Sequence, residues 1–208
     1  MNKTVIQGVI TGGCMLLVIL FLTGCTGIHK DFPEKNLFRI DPPRPVTISP
    51  GLEMGKGLLV RQFDISPEFE TNFFMYQVSQ DRFTGDYYNK FMVSPARMIT
   101  DAVKEALYNS AFFRPVPASE PSDIFFRLSG KIIQLYGDHT NPAHPRAVMT
   151  LRLILEEQTD KGFIPVINQV YAAFEPTSQN RPAALVQAWN RCLENILTDF
   201  FRNVDTLD

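Results

Sequence analysis

The run from Pro182 to Val204 constrains the fold of this chain most. Leu185, Ala188, Trp189, Cys192, Leu193, Ile196, Leu197, Phe200 and Phe201 recur there at steps of three and four, which places them on one face of a helix. A stripe that long and that apolar has to be covered by another layer. The segments ahead of it supply one. Ile124, Phe126, Leu128 and Ile132 alternate with Arg127, Ser129 and Lys131, and Met149, Leu151, Leu153 and Leu155 alternate with Thr150, Arg152 and Glu156. Ile164, Val166, Val170, Ala172 and Phe174 make a third strand. The loops Gly137 to Pro145 and Gln158 to Gly162 are short enough for antiparallel neighbours, so a meander is expected.

Upstream, Leu58 to Ile65 reads as one strand, apolar on both faces for half its length and therefore central. Phe73 to Gln80 and Phe83 to Val93 read as a hairpin about Asp81-Arg82, with Phe83, Tyr87, Phe91 and Val93 sharing the core face at a period of two. Ser94-Pro95 starts a helix: the serine is expected to cap free amides, and proline suits the first helical position, where no donor is needed. Met98, Ile99, Ala102, Val103, Ala106 and Leu107 give that helix one buried stripe ending near Ala111, and Phe112 to Val116 is extended. The expected class is α+β, a single largely antiparallel sheet with two amphipathic helices packed on one face.

The N-terminus has a different character. Lys3 precedes an uninterrupted apolar run from Cys14 to Leu22, nine residues, which is inside the usual range for the core of a signal peptide and far short of the roughly 20 residues needed to span a bilayer. Leu22-Thr23-Gly24-Cys25 closes it. This pattern resembles the lipobox of bacterial lipoproteins, which implies cleavage between Gly24 and Cys25 and lipidation of the Cys25 thiol. A diacylglyceryl thioether plus an N-acyl chain such as palmitate anchors a protein stably, because each buried methylene contributes about 0.8 kcal/mol. Thr26, rather than Asp, follows the cysteine; by resemblance to enteric sorting this favours the periplasmic face of the outer membrane. The expected organisation is a removed signal over 1–24, a lipidated Pro-rich tether with one short strand at Leu37 to Ile40 over 25–57, and an α+β domain over 58–208.

Cysteine usage agrees with that organisation. Cys14 leaves with the signal and Cys25 is acylated, so Cys192 alone remains a thiol and the mature domain has no internal disulfide. Removing Lys3 leaves 19 basic and 22 acidic side chains, a net charge near minus three without a basic cluster. Nucleic acid is an unsuitable partner for such a chain, and an electrostatic membrane patch is not expected from it either.

No catalytic constellation stands out. His139 and His144 sit with Asp138 in one loop but lack a third convergent ligand, so no metal site and no cofactor is expected. Glu156-Glu157 is an adjacent pair on a strand, whose side chains face opposite ways and cannot share a proton. There is no Gly-rich phosphate loop, nucleophile elbow or HExxH. The chain is read as a non-enzyme. Phe73, Phe74, Tyr76, Phe83, Tyr87, Tyr88 and Phe91 fall within nineteen residues, more aromatic surface than a hairpin core uses. Tyr76 and Tyr88, off the core-facing alternation, are the candidate partner-binding residues.

The order of motifs resembles the ABC-type transport auxiliary lipoproteins, a family that includes proteins similar to the paraquat-inducible lipoprotein C. The resemblance rests on the lipobox and the Pro-rich tether, then Leu58-Leu59-Val60 with Phe63, the aromatic hairpin ending in Ser94-Pro95, and Ala102 with Ala106-Leu107 running into Phe112-Phe113-Arg114 and Val116. Leu128 with Gly130 and the C-terminal Ala/Trp/Leu helix complete it. Gln77 follows Tyr76 where the family often has Arg, and Phe91 stands where Trp is common. The resemblance implies a non-catalytic adaptor for MCE-type or ABC transporter subunits that move lipids or other apolar solutes between envelope membranes. It also allows a homo-oligomer. Two other readings stay open: a periplasmic lipoprotein that itself binds lipid or a small apolar ligand, which needs a cavity of about 300 Å³ or more, and an envelope hydrolase, which needs convergent titratable groups.

Overall fold

A computed structural model describes residues 34–42, 56–110, 112–177 and 181–207. The signal, Gly24, Cys25 and most of the tether lie outside the described residues. The chain divides into two units, the second spanning Lys35–Asp208.

In that unit a thirteen-residue strand, β7 (Phe126–Asp138), acts as the spine of a nine-stranded sheet. On one edge it pairs antiparallel with β8 (Arg146–Thr159), and β8 pairs with β9 (Gly162–Pro176), the expected meander. On the other edge three short strands share its length in parallel. β2 (Gly57–Val60) takes Phe126 to Leu128, β3 (Asp64–Ile65) takes Lys131 and Ile132, and β4 (Phe73–Ser79) takes Gly137 and Asp138. β4 continues into an antiparallel hairpin with β5 (Arg82–Phe91); β1 (Asn36–Phe38) lies parallel to β5, and β6 (Arg114–Pro115) parallel to β2. The long ladders are thus antiparallel, and the parallel ones run two or three residues each.

The expected strand Leu58 to Ile65 is a correction: it is broken into β2 and β3. The Phe63 amide leaves the ladder to donate to Thr100 Oγ1 at 3.0 Å, and the Phe63 ring lies flat over Gly130. A Cβ at position 130 would sit 2.8 Å from that ring, so the glycine makes room for an aromatic plug beneath the first helix.

The two helices, α1 (Pro95–Asn109) and α2 (Pro182–Val204), bury their apolar stripes in one continuous core. Leu128, Ile132 and Leu135 of β7, Met149, Leu151, Leu153 and Leu155 of β8, and Ile167 and Tyr171 of β9 belong to it. Trp189 is wholly buried, its ring 5.0 Å from that of Phe74 and 5.3 Å from that of Phe91. Among the described residues no buried side-chain nitrogen or oxygen lacks a hydrogen-bond partner. α1 starts as expected at Ser94-Pro95, but the Ser94 side chain makes no cap; its backbone carbonyl accepts the Met98 amide at 3.1 Å, and Pro95 spares one donor.

The opposite sheet face carries a smaller cluster in which Phe69 from the turn Pro67–Phe69 stacks on Tyr136 at 5.8 Å beside Val148. Phe83 packs here, 5.2 Å from Tyr136.

Candidate functional site

The aromatic hairpin departs from simple alternation at one place. Phe73 pairs with Lys90 while Phe74 pairs with Asp86, so Tyr87, Tyr88 and Asn89 form a bulge on β5. Asp86 holds it. Its carboxylate accepts from the Tyr88 amide (3.0 Å), the Asn89 amide (3.1 Å) and the Asn89 side chain (2.8 Å), offering the backbone partners that the ladder no longer supplies. This overturns the expected common core face. Phe91 is buried, but Phe83, Tyr87 and Val93 are exposed: Phe83 lies before the bulge and out of phase with Phe91, Tyr87 is in the bulge itself, and Val93 falls in the bend beyond the end of β5.

The two tyrosines singled out from the sequence have different surroundings. Tyr76 is half-buried. Its ring lies over Gly137, where a Cβ would come within 2.8 Å of it, and 4.6 Å from the ring of His139. Its hydroxyl donates to Asp86 at 3.4 Å. Burial, together with the Asp86 charge, pushes this phenol well above its ordinary value. Tyr88 is 40% exposed and meets Tyr87 edge to face at 5.3 Å. The structure therefore joins Tyr88 to a surface patch and leaves Tyr76 with the interior.

The rest of that patch is Tyr87, Phe73, Lys35, Lys90 and Leu37. Tyr87, 56% exposed, stacks on Phe73 at 6.2 Å; Lys35 Nζ lies 4.6 Å and Lys90 Nζ 5.3 Å from its ring centre. Its phenol is held below the ordinary value by hydrogen-bond donation from the Lys35 ammonium and by the charges of Lys35 and Lys90. Lys90 also covers Phe73 at 4.3 Å. Sequence reasoning assigned Tyr87 to the core and passed over both lysines. The signal that could have found them was Asp86, a residue that favours local backbone hydrogen bonds within an otherwise β-forming run.

The remaining titratable groups occupy structural positions. Asp138 accepts from Thr140 and from Arg146 (2.8 Å); burial raises its carboxyl, but these bonds outweigh it and hold it below the usual range. His139 is lowered by burial, partly opposed by Asp138. Among the described residues no group of three or more His, Cys, Asp or Glu is placed to hold a metal ion. Glu156 takes Arg127 in a two-bond pair (2.7 and 2.9 Å), while Glu157 approaches Lys56 at 3.9 Å, so the neighbouring carboxylates have separate partners. Burial pushes the Cys192 thiol up to about 12.

A pocket of about 70 Å³ lies among Phe112, Phe113, Phe126, Leu155, Val166 and Val204. Two larger depressions have mixed linings: one of about 380 Å³ beside Tyr76, with Asp86, Asn89, His139 and Arg181 among its walls, and one of about 610 Å³ beside Phe63, with Asp64, Glu70, Arg97 and Lys131 among its walls. Among the described residues no helix is long and apolar enough to cross a membrane.

No family model matches the chain, and no curated protein matches it. Solved structures do. A DUF330 protein of Xanthomonas campestris superposes with a TM-score of 0.69 at 15% identity, covering 82% of this chain and 96% of that one. An uncharacterised protein gives 0.66 at 12% identity, covering 82% and 99%. A dodecameric PelC of Paraburkholderia phytofirmans gives only 0.39 at 14% identity, covering 73% and 92%, and its assembly is a property of that protein. The chain is thus similar to the DUF330 protein across nearly its whole described domain, and what the two share is the fold.

Proposed function

We propose that this protein is an outer-membrane-anchored periplasmic lipoprotein, a member of the ABC-type transport auxiliary lipoproteins, that serves an MCE-type or ABC transport system for lipids or other apolar solutes without catalysing a reaction. The observation that carries the reading is the packed interface between helices and sheet. The mainly apolar pocket there, about 70 Å³, is several-fold below the few hundred cubic ångströms that an apolar ligand site needs, and the larger depressions of about 380 and 610 Å³ are lined in good part by polar and charged side chains. A body of this kind suits an adaptor better than a carrier, and the solute then travels through its partners. Leu22-Thr23-Gly24-Cys25 supports the anchor, and the DUF330-like fold is in keeping with the family resemblance.

The test is isolation of the tagged full chain from its native envelope. On this reading detergent is required for release, the mass of the mature N-terminal peptide shows acylated Cys25, and MCE-domain or permease subunits co-purify. A protein released by buffer alone with an unmodified residue 25 would sink the proposal.

A further inference from the structure

We infer that the patch of Lys35, Leu37, Phe73, Tyr87, Tyr88 and Lys90 rests against the headgroup region of the membrane that holds the chain; this rests on the lipid anchor proposed above. Leu37, Lys90 and Phe73 are successive cross-strand partners on β1, β5 and β4, so they share one face of the sheet. Their neighbours Phe38, Phe91 and Phe74 belong to the core beneath the helices, which puts the patch on the side away from α1 and α2. Leu37 is 59% exposed and Met92, two residues beyond Lys90, is 56% exposed. Exposed aliphatic side chains, tyrosine rings and lysines with long apolar stems are the composition that suits a membrane interface: the rings sit at headgroup level and the ammonium groups reach anionic phosphates. Neither Lys35 nor Lys90 is in an ion pair among the described residues. Both oxygens of Asp86, the carboxylate closest in sequence to Lys90, are turned to the bulge.

The covalent chain says what covers this patch. Ten residue steps join Cys25 to Lys35, at most roughly 35 Å when fully extended, and Lys35 is itself part of the patch, over the Tyr87 ring. Acyl chains on Cys25 therefore keep this surface within reach of headgroups at high effective concentration, where even a weak contact is occupied.

The experiment reconstitutes the full lipidated chain into vesicles of phosphatidylethanolamine and phosphatidylglycerol that carry lipids spin-labelled near the headgroup. Reporters are Tyr88→Trp and, as a second variant on the patch, Leu37→Trp; the control is Gln187→Trp on the exposed side of α2. Buried Trp189 provides the background, read in the unsubstituted protein. Quenching is expected to be several-fold greater at 88 and 37 than at 187, and to fall when Lys35→Glu and Lys90→Glu are combined. Flotation with vesicles in high salt reports the anchor separately. Flotation with equal quenching at all three positions overturns the orientation and leaves the anchor standing; loss of flotation sinks the anchor and the orientation with it. Equal quenching with loss of transporter-subunit co-purification in Tyr88→Ala would give the patch to a protein partner instead.

Discussion

Replacing Asp86 by Ala tests whether one carboxylate builds the bulge that presents Tyr87 and Tyr88. Four donors converge on it, with unequal worth. The Tyr88 amide is exposed, so water replaces the lost acceptor at little cost. The Asn89 amide and side chain are partly buried and bonded at 3.1 and 2.8 Å; each loses about 0.5 to 1 kcal/mol, the lower part of the range for a net hydrogen bond, because water still reaches the site and replaces part of the lost acceptor. The Tyr76 hydroxyl, at 3.4 Å, adds little. The sum is about 1 to 2 kcal/mol, and with a urea slope of about 2 kcal/mol/M for a domain of this size the midpoint moves down by about 0.5 to 1 M. Trp189, the one tryptophan of the chain and wholly buried, reports the transition by its fluorescence. A second readout is specific to the site: without the Asp86 charge, the alkaline titration of Tyr76 should begin at lower pH, still above that of an exposed tyrosine because burial remains the main cause. A midpoint within about 0.2 M of the parent, equivalent to about 0.4 kcal/mol at the slope above, together with an unchanged tyrosine titration, would refute this account of the bulge.

Trp189→Ala removes the ring between Phe74 and Phe91 and should cost about 3 to 5 kcal/mol, read as a lowered midpoint by circular dichroism. The Arg127 hydrogen bonds hold Glu156 below its ordinary 4.5, so the pair contributes stability present above that value and lost as pH falls through the folded value. Glu156→Gln should flatten the acid limb of a stability-versus-pH curve there, and an unchanged limb would count against it. His139 is lowered below 6.5 by burial; its neutral form is favoured in the fold, so stability declines below pH 6.5, and His139→Gln should remove that part of the decline. Cys192, buried and with its thiol pushed up to about 12, should be silent to a thiol reagent in the native mature protein and give one equivalent per chain in denaturant. A second equivalent would mean that Cys25 is not acylated.

The residues themselves determined whatever depends on neighbours along the chain. The α2 stripe from Leu185 to Phe201 and the alternation of β8 from Met149 to Leu155 were legible because burial imposes a period that near-neighbour geometry repeats, and the Ser94-Pro95 start needed only a proline without a donor. The Leu22-Thr23-Gly24-Cys25 pattern is likewise local. Tertiary structure decided what depends on contacts between distant residues. Phe63 leaves its strand because Thr100 and Gly130, far along the chain, offer its amide an acceptor and its ring a flat seat. Tyr76 turns inward because Gly137 on β7 has no side chain to exclude it. Tyr87 and Tyr88 turn outward because the pairing of β4 with β5 shifts by three residues at Asp86. Periodicity carries no record of such a shift, since a bulge reverses faces without altering the composition on either side of it.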